Sequence, residues 1–173
     1  MEVGILGGVV WMGVGNLVGR VGEFLAYFYL SRRGKVTFDD KWDFRFNGRP
    51  VEVKTRTEHN QLPYYYYSEP CKIVRSTRFS LKRVSHNQLC EQDGLYCFVL
   101  LRDDGYASIK MVDAKEIQPC GRTGERQFVS WGAIFRYRRV GKLRVCDEPR
   151  VAQWEPLVCP EALSMLNSRR RLK

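Results

Sequence analysis

Two acids and a lysine fall close together in the segment Trp42-Asp43-Phe44-Arg45-Phe46-Asn47-Gly48-Arg49-Pro50-Val51-Glu52-Val53-Lys54. Asn47-Gly48 between two alternating segments has the composition of a two-residue hairpin turn, in which both loop residues take positive φ. With that pair as the loop, Phe46 pairs with Arg49, Phe44 with Val51 and Asp43 with Glu52. Side chains alternate faces along a strand. Phe44, Phe46, Val51 and Val53 then share an apolar face, and Asp43, Glu52 and Lys54 share the other. Directly opposed acids sit about 5 Å apart at Cβ and repel. A divalent cation between them turns that repulsion into binding. Oxygen ligands suit Mg²⁺ or Mn²⁺, which bind through one or two carboxylates and leave room for water and phosphate. Such an ion polarises a phosphoryl oxygen and lowers the pKa of bound water. Lys54 beside it would orient that water or stabilise charge developing on the phosphate.

These residues need a scaffold. Asn16 is placed to cap a helix over Leu17–Arg33, with Gly34 as its stop. Its side chains are apolar nearly all round, the pattern of a buried helix. Glu23 sits in its middle, where an ionised carboxylate is costly unless paired, hydrogen-bonded or bound to a metal. Two readings fit it: an ion pair with Arg20 at the surface, or a third acid at the hairpin. A short strand at Lys35–Phe38 precedes the hairpin, and an extended loop is expected from Thr55 to Ser76. Further strands are expected at Arg78–Lys82, Leu95–Leu101 and Tyr106–Val112, with Ser85 capping a short helix and a helical turn at Asp113–Ile117. The continuous apolar run of Leu95–Leu101 is that of a central strand buried on both faces. Short strands at Phe128–Trp131, Ile134–Arg138 and Leu143–Val145 and a small helix at Glu161–Asn167 complete the expectation. Helix, hairpin, helix and strands in this order describe an α/β fold around a mixed sheet.

The 173 residues suffice for one domain, 1–173, with a core over about 16–117 and a basic, β-rich C-terminal extension over about 118–173. The first nineteen residues are glycine-rich, carry only Glu2 as a charge and fall just short of a membrane span. They lack the basic start of a secretory signal, so an intracellular, cytoplasmic protein with no membrane partner is expected. Six cysteines show no Cys-x-x-Cys pair and are expected as free thiols.

A net charge of +10 and a pI near 9.5 point to a polyanionic partner. Arg56, Lys72, Arg75, Arg78, Lys82 and Arg83 lie between Thr55 and His86, interleaved with Tyr64–Tyr67 and Phe79. Basic side chains neutralise phosphates and aromatics stack on unpaired bases. The tyrosine run fits loop and core packing equally well. From Gly132 onward, ten Lys/Arg stand against four Asp/Glu. His59 and His86 are expected at the surface.

The spacing Asp-x8-Glu-x-Lys with an upstream helical Glu resembles the PD-(D/E)xK nuclease superfamily, the restriction-endonuclease-like fold, from about Gly19 to Val112. The resemblance rests on Glu23, on Asp43 in Lys41-Trp42-Asp43-Phe44, and on Val51-Glu52-Val53-Lys54-Thr55. It implies a mixed β-sheet core flanked by helices and a metal-dependent deoxyribonuclease using Mg²⁺ or Mn²⁺. Asp43 and Glu52 would bind metal with the Val53 carbonyl, Glu23 would be a direct or outer metal partner, and Lys54 would be the catalytic lysine. Gln88 would contact substrate. Arg56, Tyr64, Arg75, Arg78, Lys82 and Arg83 are the candidate nucleic-acid contacts, with DNA the expected partner and RNA compatible with the same chemistry. Cutting both strands of a duplex favours a homodimer. Trp42 stands where the motif has proline, and Gln92 where RecB-like members carry tyrosine. Two other classes remain open: a non-catalytic nucleic-acid-binding protein with this fold, and an assembly protein acting through its glycine-rich N-terminus.

Overall fold

The computed structural model describes residues 14–58, 78–102, 104–140 and 143–154. Helix α1 (Val14–Ser31) leads into β1 (Val36–Phe38), β2 (Phe44–Phe46) and β3 (Arg49–Thr57). Then come β4 (Arg78–Lys82), α2 (Arg83–Glu91), β5 (Leu95–Leu101) and β6 (Tyr106–Asp113). A 3-10 turn at Ala114–Glu116 precedes β7 (Gly121–Thr123), β8 (Arg126–Ser130) and the one-turn helix α3 (Trp131–Ile134). The chain continues through β9 (Tyr137–Val140), β10 (Leu143–Cys146) and β11 (Ala152–Gln153).

Six strands form the main sheet in the order β1-β2-β3-β5-β6-β11. β3 and β5 are parallel, from Val51↔Leu95 to Thr57↔Leu101, and the other neighbours are antiparallel. The sheet is therefore mixed, as expected. Pro50 lies one residue before the parallel ladder begins, so its missing N–H removes no bond from it. Asn47 (φ 49°) and Gly48 (φ 84°) form the two-residue turn with both residues at positive φ. The turn is tied to β1, since the Lys35 N–H donates to Asn47 Oδ1 at 2.9 Å and the Asn47 N–H to the Lys35 carbonyl at 2.9 Å.

β5 explains the two-layered core. Cys97, Val99 and Leu101 turn to one face, where Val21, Leu25, Ala26 and Leu30 of α1 cover them together with Val51 and Val53. Tyr96, Phe98 and Leu100 turn to the other, against Phe79 and Leu81 of β4, Leu89 of α2, Val129 of β8, and Trp131 and Ile134 of α3. A strand covered on both faces has no need of alternation, hence the unbroken apolar run. The second layer includes a three-stranded sheet, β4-β8-β7. At the end of β5 the buried Arg102 guanidinium donates to the Cys146 and Glu148 carbonyls, both at 2.9 Å, and holds residues 146–148 against the main sheet.

Several expectations are corrected. α1 begins at Val14, so Asn16 lies inside its first turn, and the helix buries one stripe rather than its whole circumference; Phe28 is 43% exposed. α2 starts at Arg83 with Lys82 at the cap position, three residues ahead of the expected cap Ser85. Of the strand expected at Ile134–Arg138 only Tyr137 and Arg138 are extended in β9: Ser130 accepts from the Gly132 N–H at 3.2 Å and starts α3, which takes Ile134. His86 is buried rather than exposed, because its ring stacks on Tyr96. Cys90, Cys97, Cys120 and Cys146 are free thiols. Cys71, His59, the Tyr64–Tyr67 run and Glu161–Asn167 lie outside the described residues. No helix among the described residues is long and apolar enough to cross a membrane.

At Gly22 of α1 an added Cβ would fall inside the Thr55 side chain of β3. Gly22→Ala should cost roughly 1–3 kcal/mol of stability through overpacking. Thr55→Gly in the same chain should restore part of it, giving a favourable coupling in a double-mutant cycle measured by denaturant unfolding. Additive losses would show that the two residues do not meet.

Candidate active site

The β2–β3 ladder ends at Phe44↔Val51, while β3 continues to Thr57. Beyond Val51 one edge of β3 is released from β2. Asp43 sits there, just outside β2, and its Oδ2 accepts the Val53 N–H at 2.7 Å. The expected direct opposition of Asp43 and Glu52 as ladder partners is thus replaced by a carboxylate that takes the place of the departing strand. The N–H and C=O of one strand residue point to the same neighbour. The Val53 carbonyl therefore opens on the edge that Asp43 occupies. Glu52 and Lys54 project from the opposite face to Val51 and Val53, and Glu52 Oε1 meets Lys54 Nζ at 2.6 Å. Glu23 reaches the same region from α1, half-buried, on the helical turn that Gly22 allows to lie close to β3.

The Asp43 carboxyl is pushed up from 3.8 to about 7. Burial is the largest cause and the Glu52 charge the second; the Glu23 charge adds to them, while the Val53 N–H and Lys54 oppose them. The thiol of Cys97 beneath is pushed up to about 12, by burial first and by the Asp43 charge second. The Glu52 and Glu23 charges therefore both act on Asp43 at a partly desolvated strand edge, and Lys54 is bonded to Glu52.

Two anchors hold Asp43 in this position. Asp39 Oδ1 accepts the N–H groups of Lys41 and Trp42, both at 2.9 Å, and its Oδ2 binds Arg45 Nε at 2.6 Å. The Trp42 N–H, followed by the Lys41 N–H and Arg45, outweighs burial and holds the Asp39 carboxyl below its ordinary range. Trp42 is buried in the second-layer core and its Nε1 donates to Gln92 Oε1 at 3.1 Å. The residue that replaces the motif's proline thus ties the Asp43 segment to the end of α2. α2 itself is pinned to β5 by Leu89 and by His86, whose Nδ1 lies 3.2 Å from the Tyr96 hydroxyl.

These elements enclose a cleft of about 310 Å³. Glu52 and Lys54 line it with Trp42 and Lys41; Ser85 and Gln88 enter from α2, and Ser80, Lys82 and Arg126 from the β4–β8 pair. Of the residues expected to touch nucleic acid, Lys82 and Gln88 line this cleft. Arg56, Arg78 and Arg83 are exposed outside it, and Tyr64 and Arg75 lie outside the described residues. Sequence reasoning missed Lys41, Ser80 and Arg126. Lys41 could have been found from its place two residues before Asp43; Arg126 arrives only through the pairing of β8 with β4, which has no local signal.

The donors suit a hard cation: two carboxylates and a main-chain carbonyl, with neither His nor Cys. Among the described residues no group of three or more His, Cys, Asp or Glu side chains is gathered as a metal cage. Mg²⁺ and Mn²⁺ need no such cage, since one or two carboxylates with water and substrate phosphate suffice.

The model of the PD-(D/E)XK nuclease superfamily domain matches residues 22–145. The chain belongs to that superfamily. No curated protein and no solved structure matched it. Membership in the PD-(D/E)XK superfamily agrees with the mixed sheet and flanking helices, and it implies a nuclease-type domain with a nucleic-acid substrate in general. The match begins at Gly22, next to Glu23, and reaches β10, so it takes in the β4-β8-β7 sheet that walls the cleft.

The raised Asp43 carboxyl has a consequence for stability. Between about pH 4 and pH 7 the folded chain holds a proton that the unfolded chain has released, so its contribution lowers stability as pH rises across that window. Asn at position 43 keeps an acceptor for Val53 and loses the charge. In chelator, Asp43→Asn should be more stable than the wild type by roughly 1–3 kcal/mol at about pH 8, with the gain vanishing near pH 4. A gain independent of pH, or none, in denaturant unfolding would refute the electrostatic origin.

Proposed function

We propose that the protein is a metal-dependent deoxyribonuclease that hydrolyses phosphodiester bonds at Asp43, Glu52 and Lys54, with Mg²⁺ or Mn²⁺ as cofactor. The observation that carries this reading is the Asp43 carboxylate seated on the Val53 N–H at the released edge of β3, within electrostatic reach of Glu52 and Glu23, beside Lys54 and a cleft whose other charges are Lys41, Lys82 and Arg126. Repulsion among the acids favours a cation, and the cations around them favour a phosphate.

Asp43, Glu52 and the Val53 carbonyl would hold the metal, with Glu23 as a direct or water-mediated partner. When bound, the ion supplies polarisation of the phosphoryl oxygen and acidification of water. The chain's own residues supply the rest. Lys54, held by Glu52 at 2.6 Å, is placed to orient the attacking water and to stabilise charge gathering on the phosphate. Gln88 from α2 faces the same space and would position the substrate. Trp42 and the second-layer core exclude water from the back of the cleft, which strengthens these interactions. A homodimer carrying two such sites would cut both strands of a duplex.

The test is a panel of labelled linear duplex, single-stranded, flap and four-way-junction DNA, with RNA as comparison, in Mg²⁺, Mn²⁺ or chelator. Cleavage should require the metal. Asp43→Ala, Glu52→Ala and Lys54→Ala should each lower it by at least about 10²-fold while thermal melting shows a folded chain. Full activity in the three variants would exclude this site. Salt-sensitive binding without hydrolysis in any divalent ion would point instead to a non-catalytic nucleic-acid-binding member.

A further inference from the structure

The cations of this chain divide by their surroundings. Arg102, Lys115, Arg138 and Arg150 each reach a carboxylate at 2.8–3.3 Å. Lys82 and Arg126, at the cleft, have no carboxylate partner among the described residues. They are also directly opposed, since the register of β4 and β8 pairs Lys82 with Arg126. Like charges facing each other across a strand pair repel, and two acids or an anion would normally separate them. Among the described residues the anchor here is neutral: Arg126 Nη1 donates to Ser80 Oγ at 3.1 Å.

The strand pattern shows where this pair points. Phe79 and Leu81 of β4, with Gln127 and Val129 of β8, turn into the protein. Ser80, Lys82 and Arg126 therefore share the outer face, and all three line the cleft that holds Glu52 and Lys54. The Arg83 N–H donates to the Glu125 carbonyl at 2.9 Å, fixing the β7–β8 turn to the start of α2 and the Lys82–Arg126 pair to the cleft rim. A hydroxyl and two cations at one rim, opposite a carboxylate–lysine pair, form a site for a tetrahedral, doubly coordinated anion.

We propose that Lys82, Arg126 and the Ser80 hydroxyl form a second phosphate site, which takes the phosphodiester next to the one at Glu52 and Lys54. The bound strand then leaves the cleft along the outer face of the β4-β8-β7 sheet. The first phosphate rests on the nuclease reading; the second rests on the charge pairing alone. Arg78 lies four residues before Lys82 on the same face, about 13 Å further along the strand, and continues the positive rim.

The test is binding of a short fluorescein-labelled single-stranded DNA in chelator, where no hydrolysis occurs, read by anisotropy across about 50 to 200 mM salt. Lys82→Ala/Arg126→Ala should weaken binding by about tenfold or more and reduce the log–log salt slope by about 1.4. Lys115→Ala/Arg138→Ala removes the same net charge at sites already neutralised by Asp93 and Asp147, and should change affinity less than about twofold. Lys82→Gln and Arg126→Gln, each at an exposed residue and each folded by thermal melting, should lower the slope by about 0.7. Equal weakening in the two double variants, or no weakening in either, overturns the site. A wild type that binds in this pattern yet never cuts leaves the phosphate site standing and removes the nuclease reading; one that cuts but binds unchanged after Lys82→Ala/Arg126→Ala does the reverse.

Discussion

The hydrogen bond from the Val53 N–H to the Asp43 carboxylate is the constraint around which the site is built. β2 pairs with β3 for only three residues, and β3 continues alone on that side. A main-chain N–H left at a half-buried edge needs an acceptor. Asp43 supplies it at 2.7 Å, and in doing so enters a space already reached by Glu52 and Glu23. The backbone is satisfied at the expense of the acid, whose ionised form is disfavoured. Lys54 relieves only part of this, because its ammonium is bound to Glu52. The geometry that stabilises the strand edge is the same geometry that disfavours the ionised Asp43 beside it.

Such an arrangement persists only if the elements around it are held by other means. The Asp39 turn and the buried Trp42 fix the chain on one side of Asp43, and the hairpin turn at Asn47-Gly48 fixes it on the other. Fully burying a side chain such as Val51, Val99 or Leu25 contributes roughly 1.5–3 kcal/mol, so the core beneath the edge outweighs the local electrostatic cost. Gly22 has a narrower task. It lets α1 descend onto Thr55, and the next residue, Glu23, is thereby delivered to the site; the same helix held further from the sheet would leave that carboxylate in solvent.

What could be read from the sequence followed the range of the interaction responsible. The turn depends on two adjacent residues that tolerate positive φ, and its register propagates to Phe44↔Val51 without help from elsewhere. The apolar run of β5 records burial on both faces in its own composition. Glu52 and Lys54 could be placed on one face from periodicity, and their contact at 2.6 Å follows from that. Asp43 was assigned to the same face by extending the period one residue past the ladder, where the chain in fact leaves the strand under the pull of the Asp39 turn. His86 looked like a surface residue on a short polar helix, and only the tertiary stack on Tyr96 buries it. Arg126 lies 74 positions from Glu52 in the chain, and no local pattern links the two.

Net charge illustrates the same limit in another form. A value of +10 counts every Lys and Arg alike and says only that the partner is acidic. The folded chain makes distinctions among them. Cations such as Lys115 and Arg138 are offset by neighbouring carboxylates and project little field beyond a Debye length. Lys82 and Arg126 are set facing each other beside the cleft that Glu52 and Lys54 line, so their field adds where a phosphate would approach. Superfamily membership gives the kind of chemistry, and the proposed reading places it at the edge of β3. On the proposed reading, what reaches that edge is selected by the second sheet, whose strands are distant from β3 in the chain.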